Sequence, residues 1–423
     1  MAELLSPAGN MEKLQAALRF GADAVYLAGK SFGMRSAADN FTDEELAQAV
    51  SLVHREGKKI YLTVNTMPHG AEYAALRDYL VRVGALGIDA VIVSDLGVLA
   101  TVKELLPNME IHVSTQSSIV SPAAALAWAA LGAKRSVLAR ELHIDEVRAI
   151  RAALPEDIEL EAFVHGSMCV SYSGRCMLSG ELTGRDANRG ACTQPCRWNY
   201  TIVEEKRPDE RLPVIENENG TFVMSSKDMC MLRHIPELIE AGVTSFKIEG
   251  RMKSAYYTAV ITNAYRMAMD AYKNDPVGYS FDEALWREVE SVSHRAYATG
   301  YWFDNPRENA QLCTEPGYIR EKAYFAVAEE QPTPPEGLEG TNQNGTLYRF
   351  KQRNKISKGD VAELLTPGKV GQAFTVEELY DEAGAPVDSA PHPLMYFWVR
   401  VPFAVREGDI LRAGDTPKGE GTV

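Results

Sequence analysis

Five of the six cysteines of this chain fall within a window of 62 residues: Cys169, Cys176, Cys192, Cys196 and Cys230. Their neighbours are Ser, Gly, Arg, Asn and Thr, not the Val, Leu and Ile that surround a cysteine acting as a small buried hydrophobe. Such surroundings point to chemistry at sulfur, by disulfides, zinc or an iron-sulfur cluster. The chain starts at Met1 without a basic region and apolar run, and has no stretch of roughly 18 or more apolar residues. A cytoplasmic location with no membrane insertion is therefore expected, and structural disulfides are disfavoured there. Successive cysteines are separated by six, fifteen, three and thirty-three residues, and only Cys192 and Cys196 approach a zinc pair. Thiolates gathered from separated loops suit a 4Fe-4S cluster about as well, although no ferredoxin spacing is matched. Five thiols exceed four ligand positions, so one is spare or a ligand is not cysteine. Cys313 stands alone and reads as inert.

The elements that must position these thiols follow a simple rhythm. Buried strands are expected at 3–9, 21–29, 59–65, Ile88 to Asp95, Ile111 to Gln116, Ser136 to Glu141, Ile158 to His165 and Ser245 to Gly250. Each is too continuously apolar for a half-exposed strand, and helical patterns separate most of them. Asn10 should cap the first helix, and Thr42 with Glu45 forms a capping-box pattern. Alternating strands and helices over about 250 residues predict an α/β fold, a (β/α)8 TIM-like barrel. The rival doubly wound sheet lacks a G-x-G-x-x-G turn after its first strand.

A barrel places function at the C-terminal ends of its strands. That ring includes Arg35, Asn65, Ser114, Gln116, Arg140, Lys247, Glu249 and Arg251, together with Glu161 and His165. Glu161 and Glu249 adjoin or interrupt apolar runs and each need a buried partner such as arginine. The cysteine segment leaves after strand seven as an insertion at about 166–230, with a possible strand at Asn199 to Glu204, an acidic tract after it, and Phe222 to Met224 leading back. The stretch around Cys230 reads as the start of the next helix, which would carry Cys230 to the rim of Cys169. The barrel domain spans 1–300, a linker 301–318, and a small all-β barrel domain 319–423.

The hydrophobic fraction is 45% and the charged fraction 24%, ordinary for a soluble protein. Net charge is −14, from 44 basic and 58 acidic residues, which argues against nonspecific attraction to nucleic acid over the whole surface. A local basic face remains, formed by Arg175, Arg185, Arg189 and Arg197, with Lys351 to Lys358 of the small domain as a second patch.

The opening ELLSPAGNMEKLQAALRFGADAVYLAGKSFGMRSAADNF, the segment EAFVHGSMCVSYSGRCMLS, the stretch NRGACTQPCRW, and KDMC with SFKIEGRMKSAYY resemble the collagenase-like peptidase family of unassigned catalytic type. The resemblance covers about residues 1–300, and the C-terminal module resembles that of longer bacterial members. The family name implies peptide hydrolysis, a hydrolase or protease activity. Against it, His165 near Cys169 is the only local nucleophile–base pair, and H-E-x-x-H is absent. Better understood relatives are oxygen-independent hydroxylation proteins holding a 4Fe-4S cluster. They act on a quinone precursor, on rRNA, or on the wobble uridine of tRNA, the last with prephenate as implied hydroxyl source. Chain length, the C-terminal module and KIEGRMK look most like the tRNA branch. The resemblance implies Cys169, Cys176, Cys192 and Cys230 as cluster ligands, leaving Cys196 spare. It also implies tRNA and prephenate as partners, with homo-oligomers or hetero-oligomers with a relative to be considered. From position and chemistry, Arg35, Arg140 and Arg251 are assigned to the prephenate carboxylates, and Glu161, His165 or Glu249 to proton movement.

Overall fold

The computed structural model describes residues 2–35, 39–169, 171–198, 202–204, 207–212, 226–303, 319 and 322–415. Eight parallel strands close a barrel: β1 Glu3–Pro7, β2 Ala24–Leu27, β3 Lys59–Val64, β4 Ala90–Val93, β5 Glu110–Val113, β6 Arg135–Val137, β7 Glu159–Ser167 and the closing strand Ser245–Ile248. The closing strand pairs with β7 on one side and β1 on the other, with Ser245 opposite both Glu161 and Glu3. All eight expected strands are present, and most end earlier than their apolar runs. The run Ser136 to Glu141 gives a strand of only Arg135–Val137, because Arg140 and Glu141 already belong to the polar rim.

Local chemistry sets the helix starts. Asn10 Oδ1 accepts from Lys13 N at 3.0 Å ahead of α1 Met11–Arg19, and Thr42 and Glu45 complete the capping box of α2 Asp43–Arg55. The helix Ala255–Asn274, capped by Ser254, buries thirteen of its twenty residues against the barrel. Burial on both sheet faces and beneath the helices is what the continuous Val, Ile and Leu runs require.

The insertion adds one element to the sequence reading and corrects one expectation. The acidic tract contributes a strand, Arg207–Leu212, which pairs antiparallel with Ile202–Glu204. The stretch around Cys230 is not helical: Asp228–Cys230 is a strand antiparallel to β7, with Cys230 opposite His165, and the helix begins only at Ile235. Pro236 at the first turn explains that late start. Phe222 to Met224, Cys313 and most of the linker lie outside the described residues.

The C-terminal part is a curled antiparallel sheet in the order 372–375, 361–365, 410–413, 324–328, 345–352, 396–401, 379–381. It docks on the barrel through buried Arg412, whose guanidinium reaches Glu288 at 2.7 Å and Ser291 Oγ at 2.9 Å. Asn263 also bonds Lys369 O and Gly368 N, both at 2.8 Å. No helix among the described residues is long and apolar enough to cross a membrane.

Candidate active site

The C-terminal ends of the strands surround a cavity of about 1020 Å³, its open mouth included, roofed by the cysteine segment. Tyr26, Ile92 and Phe163 give it apolar walls, while Arg35, Arg140, Lys247, Glu249 and Arg251 bring charge. Where β7 passes into the insertion, Gly166 has φ +107°, and a Cβ there would lie 2.4 Å from Glu249 O. Glycine therefore lets the root of the insertion press against the closing strand.

Glu249 is the anionic centre. Burial alone would raise its carboxyl, but Arg35, Arg140, Arg251 and Lys247 together hold it below the usual carboxylate range. Its carboxylate lies 3.8 Å from Arg140 Nη2. Arg140 is fixed by a bond to Ser167 O at 2.9 Å and by stacking on Phe163, 4.0 Å from the ring centroid. Arg35 sits in the left-handed region at φ 69°, and Glu249 raises its pKa, with the Cys169 and Cys192 thiols adding to the effect. Arg251 is buried and spends its fork on protein: Thr63 Oγ1 at 3.2 Å, Asn40 Oδ1 at 3.0 Å and Met34 O. Burial lowers its pKa to about 10, so it stays charged at neutral pH. It also lines the cavity, and its Nε has no hydrogen-bond partner, as is true of Arg140 Nε.

Cys169, Cys176, Cys192 and Cys196 all line this cavity. Asn188 clamps the Cys176 turn, accepting from Cys176 N at 3.1 Å and donating to Cys176 O at 2.9 Å. Gln194 N donates to Cys192 Sγ at 3.3 Å. A single tetrahedral zinc would draw its thiolates to about 3.8 Å from one another. Among the described residues, the only three or more such ligand atoms within 4.8 Å of each other are Glu110, His112 and Glu159, at the opposite end of the barrel. No three of the cavity sulfurs therefore lie within 4.8 Å of one another.

Several expected site residues lie elsewhere. Cys230 lines neither this cavity nor the adjoining groove of Cys169, Cys192 and Cys196. Its thiol is buried beside Tyr265 and pushed up to about 12 by that burial, whereas Cys196, also raised by burial, feels Cys169, Cys192 and Cys176 as further causes. His165 is enclosed by Tyr257, Tyr265 and Tyr297, with ring centroids 6.0, 5.6 and 5.3 Å away. Burial lowers its pKa to about 3, leaving it neutral. Glu161 is the third residue of a nine-residue strand and lies inside the barrel below the cavity, bonded to Lys247 Nζ at 2.6 Å and Arg135 Nη1 at 3.0 Å. Burial would raise its carboxyl, but Lys247 and Arg135 outweigh that and bring it to about 2. Of the acid–base candidates, Glu249 alone faces the cavity. Arg251 faces it as well, but as a clamp on the loop of Met34 and Asn40. Among the cavity residues that escaped the sequence reading are Asn188, visible only as part of the NRG stretch, and Tyr172, the aromatic between Cys169 and Cys176.

Residues 9–312 match the family described as Peptidase family U32, and residues 338–412 match its C-terminal domain. The chain is 37% identical to a tRNA hydroxylation protein P1 of Bacillus subtilis over 413 residues, 97% of this chain and 94% of that protein. It is 34% identical to tRNA hydroxylation protein P of Escherichia coli, covering 95% and 94%. A 23S rRNA 5-hydroxycytidine C2501 synthase of Escherichia coli is 42% identical over 270 residues, 64% of this chain and 39% of that protein.

Proposed function

Because the chain belongs to peptidase family U32, with a thiol-roofed cavity at the functional end of its barrel, we propose that it is a tRNA uridine 5-hydroxylase. In this reading a 4Fe-4S cluster and prephenate serve an oxygen-independent reaction at the wobble uridine. The observation that carries it is the gathering of four thiols above the Arg35, Arg140 and Glu249 group, in a chain similar to tRNA hydroxylation proteins over nearly its full length.

The donor set fits such a cluster: thiols from separated turns, a backbone N–H on Cys192 Sγ, and positive charge close by. Cys169, Cys176 and Cys192 belong to both the spatial set and the set implied by motif. For the fourth position, Cys196 is supported by its lining the same cavity and Cys230 by the resemblance. When bound, a cluster there supplies electron transfer or, at an iron lacking a thiolate, Lewis acidity. Arg35 and Arg140 offer guanidinium groups to a dicarboxylate donor. Glu249, ionised between them, orients that donor or takes up a proton, while Arg251 keeps the Arg35 loop in place.

The peptidase reading has no such support, since no histidine lines the cavity among the described residues and His165 is walled off by tyrosines. Nucleoside analysis of tRNA from a deletion strain beside a complemented strain tests the proposal. Loss and recovery of 5-hydroxyuridine is the expected result; unchanged tRNA with altered peptide turnover would replace the reading.

A further inference from the structure

The cavity holds one polar group that neither the thiols nor the arginines explain. Gln116, just past β5, lines it, and its Nε2 is a buried donor without a partner. A buried amide nitrogen left unpaired costs free energy, so its persistence calls for a ligand.

The direction of this amide is set by a relay of hydrogen bonds. Met34 N can only donate, and it donates to Asn65 Oδ1 at 3.1 Å. That fixes the Asn65 amide, so its Nδ2 faces Ser114 Oγ at 3.4 Å. Ser114 Oγ also accepts from Gln116 N at 3.5 Å, which occupies both of its acceptor positions. Its own hydrogen therefore goes to Gln116 Oε1, 3.2 Å away. With Oε1 held by Ser114, the Gln116 amide cannot flip without breaking the relay, and Nε2 remains a donor.

We propose that Gln116 Nε2 reads the C4 carbonyl of a pyrimidine turned out of its RNA stack into this cavity, selecting uracil over cytosine. The inference rests on the RNA hydroxylation reading above. Chemistry at C5 requires the base to leave the stack. It also brings the group on the neighbouring C4 into the cavity: a carbonyl acceptor in uracil, an amino donor in cytosine. A fixed donor pairs with the first and opposes the second. Tyr172, which also lines the cavity and is 45% exposed, gives the extruded base an aromatic face at the mouth. Gly174, at φ +76°, lets the same turn close over Gln116: a Cβ there would lie 3.1 Å from Gln116 O.

The test uses anaerobically purified holoprotein and two stem-loop RNAs that differ only in carrying uridine or cytidine at one loop position. Binding and hydroxylation of both are measured for the unaltered protein, Gln116→Glu and Ser114→Ala. Glutamate keeps the shape and the Ser114 bond but replaces the donor with an acceptor. The expected result is a fall of about tenfold or more in the uridine-to-cytidine ratio for Gln116→Glu. A smaller fall is expected for Ser114→Ala, where the amide is free to flip. A ratio cancels any general weakening from the added charge, and binding reports it even if turnover is lost. If the unaltered protein hydroxylates uridine and Gln116→Glu keeps its ratio, this inference falls and the functional reading stands. If the unaltered protein hydroxylates neither RNA, the functional reading falls and takes the inference with it.

Discussion

The two ends of the barrel carry similar charges to different effect. At the N-terminal end, Arg135 bonds Glu3 at 2.7 Å, Glu161 at 3.0 Å and Ser245 at 3.3 Å, and pairs with Glu159. Burial alone would lower its pKa, but Glu161 and Glu3 outweigh it and raise it. At the C-terminal end, the Arg140–Glu249 pair is looser at 3.8 Å, and Arg140 Nε, Arg251 Nε and Gln116 Nε2 have no partner. The first network closes on itself and holds strands together. The second leaves donors over, as a site awaiting an anionic or carbonyl ligand does. Lys247 joins them, bonded below to Glu161 while lining the cavity above.

The sharpest break is at sulfur. Anaerobic protein is expected to hold about four irons and four sulfides per chain, and Cys169→Ala, Cys176→Ala and Cys192→Ala should each lose most of both. Stoichiometric zinc without sulfide would remove the cluster. The fourth ligand is decided by iron content in Cys196→Ala against Cys230→Ala. Loss at Cys196 assigns it by place; loss at Cys230 shows that the strand beside β7 turns its thiol toward the insertion when loaded.

Next in size is the contrast between the two arginines. Arg135→Met strands buried carboxylates and should cost roughly 3–5 kcal/mol in denaturant unfolding. Arg140→Ala should cost less stability than Arg135→Met, because Glu249 keeps Arg35, Arg251 and Lys247 around it, yet raise the donor concentration needed about tenfold or more. Equal stability losses would erase the distinction between the ends. Acid sharpens it. Glu161 is held near 2, below its ordinary value of 4.5, so its stabilisation is complete above about 4.5 and is lost as pH falls toward 2. Denaturation midpoints measured across that window should decline.

A smaller effect is expected at Arg251. Lysine keeps the charge but cannot reach Thr63, Asn40 and Met34 O together, so Arg251→Lys should cost roughly 1–3 kcal/mol and loosen donor binding through the Arg35 loop. Normal melting temperature with a selective rise in donor requirement would instead give Arg251 direct contact with the donor.

The smallest effect concerns tRNA docking. Arg175 and Arg185 are exposed, whereas Arg189 is paired with Glu72 at 2.6 Å. Replacing Arg175 and Arg185 by alanine should weaken tRNA binding modestly and reduce its salt slope by about 2. An unchanged slope would place the RNA on another face.

The sequence by itself determined the barrel, because strands buried on both faces must be continuously apolar and helix caps are local chemistry at Asn10, Thr42 and Ser254. It also determined that thiols, arginines and Glu249 would meet at one end, since strand direction alone decides which loops share a rim. Tertiary structure decided which of them face the cavity. Glu161 lies two residues before Phe163 on β7 and four before His165, yet Glu161 points to Arg135 while His165 lies among tyrosines; the β7 pairing with the closing strand shifts register between Lys247 and Ile248, so simple alternation fails there. Cys230 is separated from the other thiols by a strand pairing with β7 that its KDMC motif does not announce. The free donor of Gln116 is the most remote from sequence of all. Its direction depends on Met34, Asn65 and Ser114, three residues from different loops, and hydrogen-bond polarity passes between them only once the barrel has brought those loops together.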